Sequence, residues 1–253
     1  MTVNEIYKSL NMTVPTELSC EWDNDGLMCS DNTSREVKRV LVTLDVTDRA
    51  IDRAVSGDFD LIVSHHPLVF RPLPSVTEDR HIAKKVIRLI KAGISVISLH
   101  TRLDRVDGGV NDKLSEVLGL CEVRAFGEDG LGRIGKLTAP MSANEFAAYV
   151  KGALGADAVR LAGPMRTVRT VALVGGDGKD YVRSAISEGA DTYLSGRIGY
   201  NVMEEAPEMG INLIEAGHYF TEAPVCEVLE ALLCDLDGAL TVEIFDSNEI
   251  KTV

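Results

Sequence analysis

Short runs of β-branched and apolar residues that stop at a histidine constrain this chain more than any other feature. Arg39–Asp45, Asp60–Ser64 and Ile94–Leu99 read as strands, and the second and third run directly into His65-His66-Pro67 and His100. Between them, Thr47–Val55 and Ile82–Lys91 have helical character. Strands alternating with connections of that length imply β-α-β-α-β crossovers and a parallel sheet. The alternation resumes later, with strands at Val168–Val174, Thr192–Ser195, Ile211–Glu215 and Leu240–Phe245. The helices expected there are Asp180–Glu188, Tyr200–Pro207 and Glu222–Leu233, with Pro224 in the first turn of the last.

Between these stretches lies Cys121–Leu137, where Gly127, Gly130, Gly132 and Gly135 predict a turn-rich region. The chain is therefore expected to be α/β, with two α/β halves flanking a Gly-rich centre. The expected division is 1–125 and 126–253, with the last helix and strand able to pack back on the first lobe. Two helix starts carry a capping-box pattern, Thr2 with Glu5 and Ser142 with Glu145. An aromatic content of 5% leaves the core to Val, Ile and Leu, which suits a buried parallel sheet.

The balance of 26 basic against 39 acidic residues, net −13, argues against non-specific nucleic-acid binding. It still permits a small anionic substrate if bound cations reverse the local field. Glu5, Lys8 and Asn11 interrupt the first dozen residues, so no signal-peptide core is read there. No run of about 18 apolar residues suggests a membrane span. Five cysteines without a Cys-x-x-Cys pattern read as reduced thiols, hence a cytoplasmic protein.

Four of the five histidines, His65, His66, His100 and His218, follow predicted strands. The carboxyl ends of strands form the ligand-binding edge of open α/β folds. His81 falls in a charged helix and reads as a surface residue. Pro67 stops the strand after His66, so the two adjacent imidazoles can address different ions. Asp104 lies four residues after His100, and Glu222 four after His218. If a helix starts near Thr221, its dipole favours Glu222 ionised. A mixed imidazole and carboxylate set without thiolate suits zinc, iron, manganese or cobalt. A carboxylate such as Glu222 or Asp104 can bridge two ions about 3.5–4 Å apart. For a single histidine, a hydrogen-bonded cleft residue remains the simpler reading.

Several other features carry alternatives. Gly175–Gly178 is either a phosphate cradle or a plain strand-to-helix turn, and lacks the dinucleotide and Walker patterns. Asp23 and Asn24 either orient an imidazole or form an Asx-turn loop. Arg133, between glycines, is either an anion binder or half of a structural ion pair.

The segments Trp22–Leu27, Ser64–Leu68, His100–Asp104 with Gly108–Asp112, Gly130–Gly135 and Ala216–Glu222 occur in an order and spacing that resemble the Nif-three-like family. Its members are commonly named GTP cyclohydrolase 1 type 2 homologues. The resemblance implies two similar α/β lobes with mixed, largely parallel sheets, and a dinuclear centre in the cleft between them held by His65, His66, Asp104, His218 and Glu222, with His100 beside it. It also implies a toroidal homohexamer, a trimer of dimers, lacking the domain that longer relatives insert between the lobes. One departure stands out. Relatives usually carry an acidic residue after the glycine at Gly196 and often a histidine near 201, whereas this chain has Arg197 and Asn201.

Two divalent ions so held point to a metal-dependent hydrolase of a nucleotide-like or phosphoester substrate. His100, the strand-end histidine not needed as a ligand, is the candidate general base or acid. The alternative is a non-enzymatic metal-binding or metal-delivery protein, or an oligomeric scaffold.

Overall fold

Both capping boxes form. In the computed structural model, which describes residues 1–253, α1 (Val3–Thr13) starts where the Thr2 hydroxyl accepts from the Glu5 amide. The Glu5 carboxylate in turn accepts from the Thr2 amide at 2.8 Å. The helix buries Val3, Ile6 and Leu10, one face at helical spacing. After it come β1 (Gly26–Cys29), β2 (Arg39–Thr43), α2 (Asp48–Ser56), β3 (Leu61–Ser64), α3 (His81–Ala92), β4 (Ser95–Ser98) and the single turn α4 (Thr101–Arg105). His81 is the exposed first residue of α3.

The chain then builds a second unit: α5 (Val110–Val117), β5 (Cys121–Phe126), β6 (Gly132–Met141), α6 (Ala143–Leu154), β7 (Arg160–Ala162) and β8 (Val168–Asp177). It continues through α7 (Val182–Ser187), β9 (Thr192–Arg197), α8 (Tyr200–Met209), β10 (Asn212–Glu215) and α9 (His218–Glu222). Finally α10 (Val225–Leu236) and β11 (Thr241–Phe245) return to the first unit. The units are Met1–Val106 with Val225–Asn248, and Asp107–Pro224 with Glu249–Val253. The division falls at Val106/Asp107, upstream of the 125/126 boundary expected.

In the first unit the sheet order is β1-β4-β3-β2-β11, parallel except for β1. Val40, Leu41 and Val42 of β2 and Leu61, Ile62 and Val63 of β3 are all buried, as strands covered on both faces require. The register places Thr43, Ser64 and Ser98 in line across β2, β3 and β4. Three strand ends are therefore level, and whatever follows each emerges at the same edge.

The second unit has the order β5-β6-β8-β9-β10-β7, with a parallel centre of β8, β9 and β10 and antiparallel flanks. Alternate residues feed two cores. Ala172, Val174, Tyr193 and Leu213 face one, while Leu173, Leu194 and Ile214 face the other with Phe146 of α6. Both sheets are mixed with parallel interiors, as expected.

The structure corrects several local readings. The Gly-rich stretch 121–137 forms two antiparallel strands, not a run of turns. Gly127 and Gly130, at φ 88° and 67°, do sit in the connecting loop. Gly132 lies inside β6, where a Cβ would collide with the Phe126 ring. Pro207 does not end α8, which runs two residues further to the left-handed Gly210, φ 72°. The helix expected over Glu222–Leu233 is two helices, and Pro224 lies between them. Glu222 is thus the last residue of α9, so the helix-start argument for its ionisation does not apply. The turn expected over Gly175–Gly178 also differs: β8 continues through Gly175 and Gly176 to Asp177 before a single 3-10 turn.

Candidate metal centre

Each of the level strand ends in the first unit hands over a polar side chain. The His65 amide donates to the Thr43 carbonyl at 3.3 Å and the His66 amide to Leu44 at 2.9 Å. These bonds extend the β2–β3 ladder just past the strand. The Ser64 hydroxyl donates to the His66 carbonyl at 2.9 Å, which closes the turn before Pro67. His100 lies two residues past the end of β4 at the same edge, and Asp104 sits on α4, the turn after it.

These residues come together. One ligand atom from each of His65, His66 and His100 lies within 4.8 Å of the other two. The ring centroids are 5.0, 5.3 and 5.6 Å apart. His65 is completely buried, and its Nε2 is 3.5 Å from Asp104 Oδ1. That is long for a hydrogen bond. It is close to the roughly 3.4 Å that separates two ligand atoms held about 2.1 Å from one ion at a tetrahedral angle.

The other nitrogen of each ring is held by a protein oxygen. His65 Nδ1 donates to the Leu99 carbonyl at 2.9 Å. His66 Nδ1 donates to Asp45 Oδ1 at 2.7 Å, and His100 Nδ1 to Asp23 Oδ1 at 2.8 Å. In a neutral imidazole this leaves the lone pair on Nε2, the atom that would meet a metal. Metal-binding histidines are typically oriented in this way. The donor set and its orientation fit a divalent cation.

Asp23 does more than hold a ring. Its second oxygen accepts from the Thr101 amide at 3.0 Å and the Thr101 hydroxyl at 2.6 Å. Burial alone would raise its carboxyl pKa. The hydrogen bonds from His100 and Thr101 outweigh it and hold the group well below the usual carboxylate range. Of the two readings open for Asp23, the imidazole-orienting one is therefore what forms. Asp25 accepts from the His100 amide at 3.1 Å and from Arg102 Nε at 3.0 Å, beside a fully buried guanidinium. Reasoning from the sequence misses Asp45 and Asp25. Asp45 has a readable signal, since it is the last residue of a predicted strand and the histidines follow the ends of others.

In the second unit the pair is His218 and Glu222, the two ends of the single turn α9. Gly217, at φ 88°, caps that turn and its amide donates to Gly196 O at 3.1 Å. His218 Nε2 and Glu222 Oε2 are 2.9 Å apart, and Glu222 is only 5% exposed. Ligands at right angles about 2.1 Å from one ion are separated by about 3.0 Å, so this pair fits a cation too. The seat for Glu222 is made by backbone. A Cβ on Gly176, which has φ 65°, would overlap Glu222 Oε1 and lie 3.2 Å from His218 Nε2. The Gly176 amide donates to Thr221 Oγ1 at 3.1 Å and the Gly175 amide to Asn111 Oδ1 at 2.8 Å. The glycine pair thus cradles a carboxylate side chain, which excludes the phosphate-cradle reading.

Arg133 is a structural ion pair, with Nε and Nη2 donating to Asp112 at 2.6 and 3.0 Å. Arg197 is exposed and 3.8 Å from Asp177, and Asn201 is exposed on α8.

The family described as Duf34/NIF3 (NGG1p interacting factor 3) matches residues 1–252. A protein named GTP cyclohydrolase 1 type 2 homolog from Clostridium perfringens is 35% identical over 259 residues, covering 99% of this chain and 98% of the relative. A Streptomyces coelicolor protein of the same name is 35% identical over 249 residues, covering 92% and 86%. Among solved structures, Staphylococcus aureus SA1388 superposes with a TM-score of 0.92 at 26% identity, covering 100% of this chain and 99% of that one. Reduced HcgD from Methanocaldococcus jannaschii gives 0.83 at 28% identity, covering 96% and 97%.

Proposed function

The chain belongs to the Duf34/NIF3 family, and from that premise we propose that it is a dinuclear metal-dependent hydrolase acting on a nucleotide-like or phosphoester substrate. The ligands are His65, His66 and Asp104 from the first unit and His218 and Glu222 from the second, serving one pair of divalent ions. The observation that carries this reading is the common orientation of the three imidazoles in the first unit. Leu99 O, Asp45 and Asp23 each accept a hydrogen bond from an Nδ1, so all three rings present Nε2, in His65 and His66 to the ions and in His100 to the reacting group.

Zinc, iron, manganese or cobalt bound by these residues would supply Lewis-acid chemistry for hydrolysis. The remaining work falls to the chain. Asp104 and Glu222 bring negative charge that offsets the cations. His100 carries a proton to or from the reacting group at Nε2, and Asp23 fixes its tautomer by accepting from Nδ1. The name carried by the relatives suggests a purine nucleotide as substrate, with water opening its ring.

The assembly proposed is a homohexamer, a trimer of dimers, which light scattering would measure. A reducing cytoplasm suits the five free thiols, of which Cys29 and Cys226 are pushed up to about 12 by burial. No helix is long and apolar enough to cross a membrane.

A hydrolysis screen of GTP and simple phosphoesters tests the activity, with His100→Ala as control. Turnover that falls at least about 100-fold in the variant, with metal content unchanged, is the expected result. A metal-loaded protein inert toward every substrate, whose fold collapses on chelation, would instead support the non-enzymatic reading.

A further inference from the structure

The single tryptophan of this chain is placed where a buried core residue would not be. Trp22 is 64% exposed, yet the loop that carries it is firmly tied. Asp23 next to it is bound to His100 and Thr101, the Cys20 amide donates to Thr101 Oγ1 at 2.9 Å, and the Asn24 amide side chain donates to Val69 O. The last contact joins this loop to the segment carrying Phe70 and Arg71. Phe70 is 40% exposed.

The rings of Trp22, Phe70 and His100 meet edge to face. Trp22 and Phe70 have centroids 6.1 Å apart with planes at 69°. Trp22 lies 6.3 Å from His100 at 77°, and Phe70 lies 6.1 Å from His100 at 89°. The three rings form a corner in which Trp22 and Phe70 are exposed to solvent. Leaving an indole in water on a rigid loop gives up the burial that aromatic side chains normally gain on folding. At the lip of the corner, the Arg71 guanidinium lies 5.9 Å from the Phe70 centroid and forms no hydrogen bond or ion pair. In a chain of net charge −13, an arginine without a carboxylate partner is a ready anion site.

We infer that Trp22, Phe70 and Arg71 form a substrate wall beside His100, which takes a planar heteroaromatic ring bearing an anionic group. The ring stacks on an aromatic face of the corner, and the guanidinium binds its phosphate or carboxylate. This inference rests on the hydrolase reading for its purpose, since it names the substrate class that would be presented to His100. The wall itself involves none of the five metal ligands.

Because Trp22 is the only tryptophan, its emission reports on the wall directly. The full-length protein, as purified, is titrated with guanosine 5′-monophosphate, guanosine and ribose 5-phosphate while tryptophan fluorescence is read. Saturable quenching by the nucleotide is expected, about three- to tenfold weaker binding of guanosine, and no quenching by ribose 5-phosphate. Phe70→Ala should weaken both purine ligands. Arg71→Ala, an exposed substitution that leaves the fold intact, should erase the difference between nucleotide and nucleoside.

No saturable quenching by the nucleotide overturns the inference, as does equal quenching by ribose 5-phosphate. So does an unchanged nucleotide-to-nucleoside ratio in Arg71→Ala. Repeating the titration with chelator separates the two proposals. Quenching that persists in a chain without metal or turnover supports the wall while the hydrolase reading fails. Turnover of non-aromatic phosphoesters without nucleotide quenching overturns the wall and leaves the hydrolase reading standing.

Discussion

The two units position their candidate ligands by different means. In the first, aligned ends of parallel strands present three imidazoles, and side-chain or backbone oxygens orient each ring. In the second, one helical turn after β10 carries both His218 and Glu222, and the orientation comes from glycines that leave room for the carboxylate. Strand-end placement is inherited from the sheet and needs a hydrogen-bonding partner to set the ring. Placement on a single turn fixes spacing through the helix itself and needs an absence of side chain opposite it.

That contrast predicts where each set is most fragile. The largest effect should come from Gly176→Ala, which adds a Cβ onto Glu222 at a left-handed position. The expected cost is about 3 kcal/mol in chemical denaturation, with loss of metal from the site. The equivalent weak point in the first unit is a partner oxygen. Asp45→Ala should reduce metal affinity about 10–100-fold by calorimetry while leaving stability nearly unchanged. If Gly176→Ala bound metal normally, the role given to backbone in the second unit would be wrong.

A pH titration sharpens the same comparison. Asp23 is depressed in the folded state from an ordinary value of 3.8, so its contribution is complete above that value and is lost as pH falls through the folded one. Asp23→Asn should therefore lower stability most near neutrality and flatten the acid limb of the profile below about pH 4, variant and parent converging in stronger acid. An acid limb of unchanged slope would contradict the His100–Asp23–Thr101 arrangement. The smallest effects belong to the two capping boxes, where both units use the same device. Thr2→Ala and Ser142→Ala should each cost about 1 kcal/mol in denaturation, in either unit alike.

The parts of this fold that depend on local pattern are readable in the sequence. The β-branched runs form β2, β3, β4, β8, β9 and β10, and both Thr2 and Ser142 cap as their glutamates three residues on require. What escapes depends on partners elsewhere in the chain. β1 and β7 are short strands defined by the neighbour they pair with, β4 and β10 respectively. Gly132 resembles a turn residue because nothing local reveals the Phe126 ring that needs its space. Pro224 suits the first turn of one long helix, which hides the break between α9 and α10 and so misplaces Glu222. The histidines are legible because they stand at strand ends. Asp45 takes on its role of orienting His66 only through strand register, whereas Asp23 is legible as one of two readings and the loop path decides between them.

The central claim is that ligands from both units serve one pair of ions, and metal stoichiometry tests it most directly. Elemental analysis of the purified chain should give two divalent ions per subunit, with His66→Ala and His218→Ala each losing metal although they alter different units. No metal bound after reconstitution, or a content that neither substitution changes, would contradict the account.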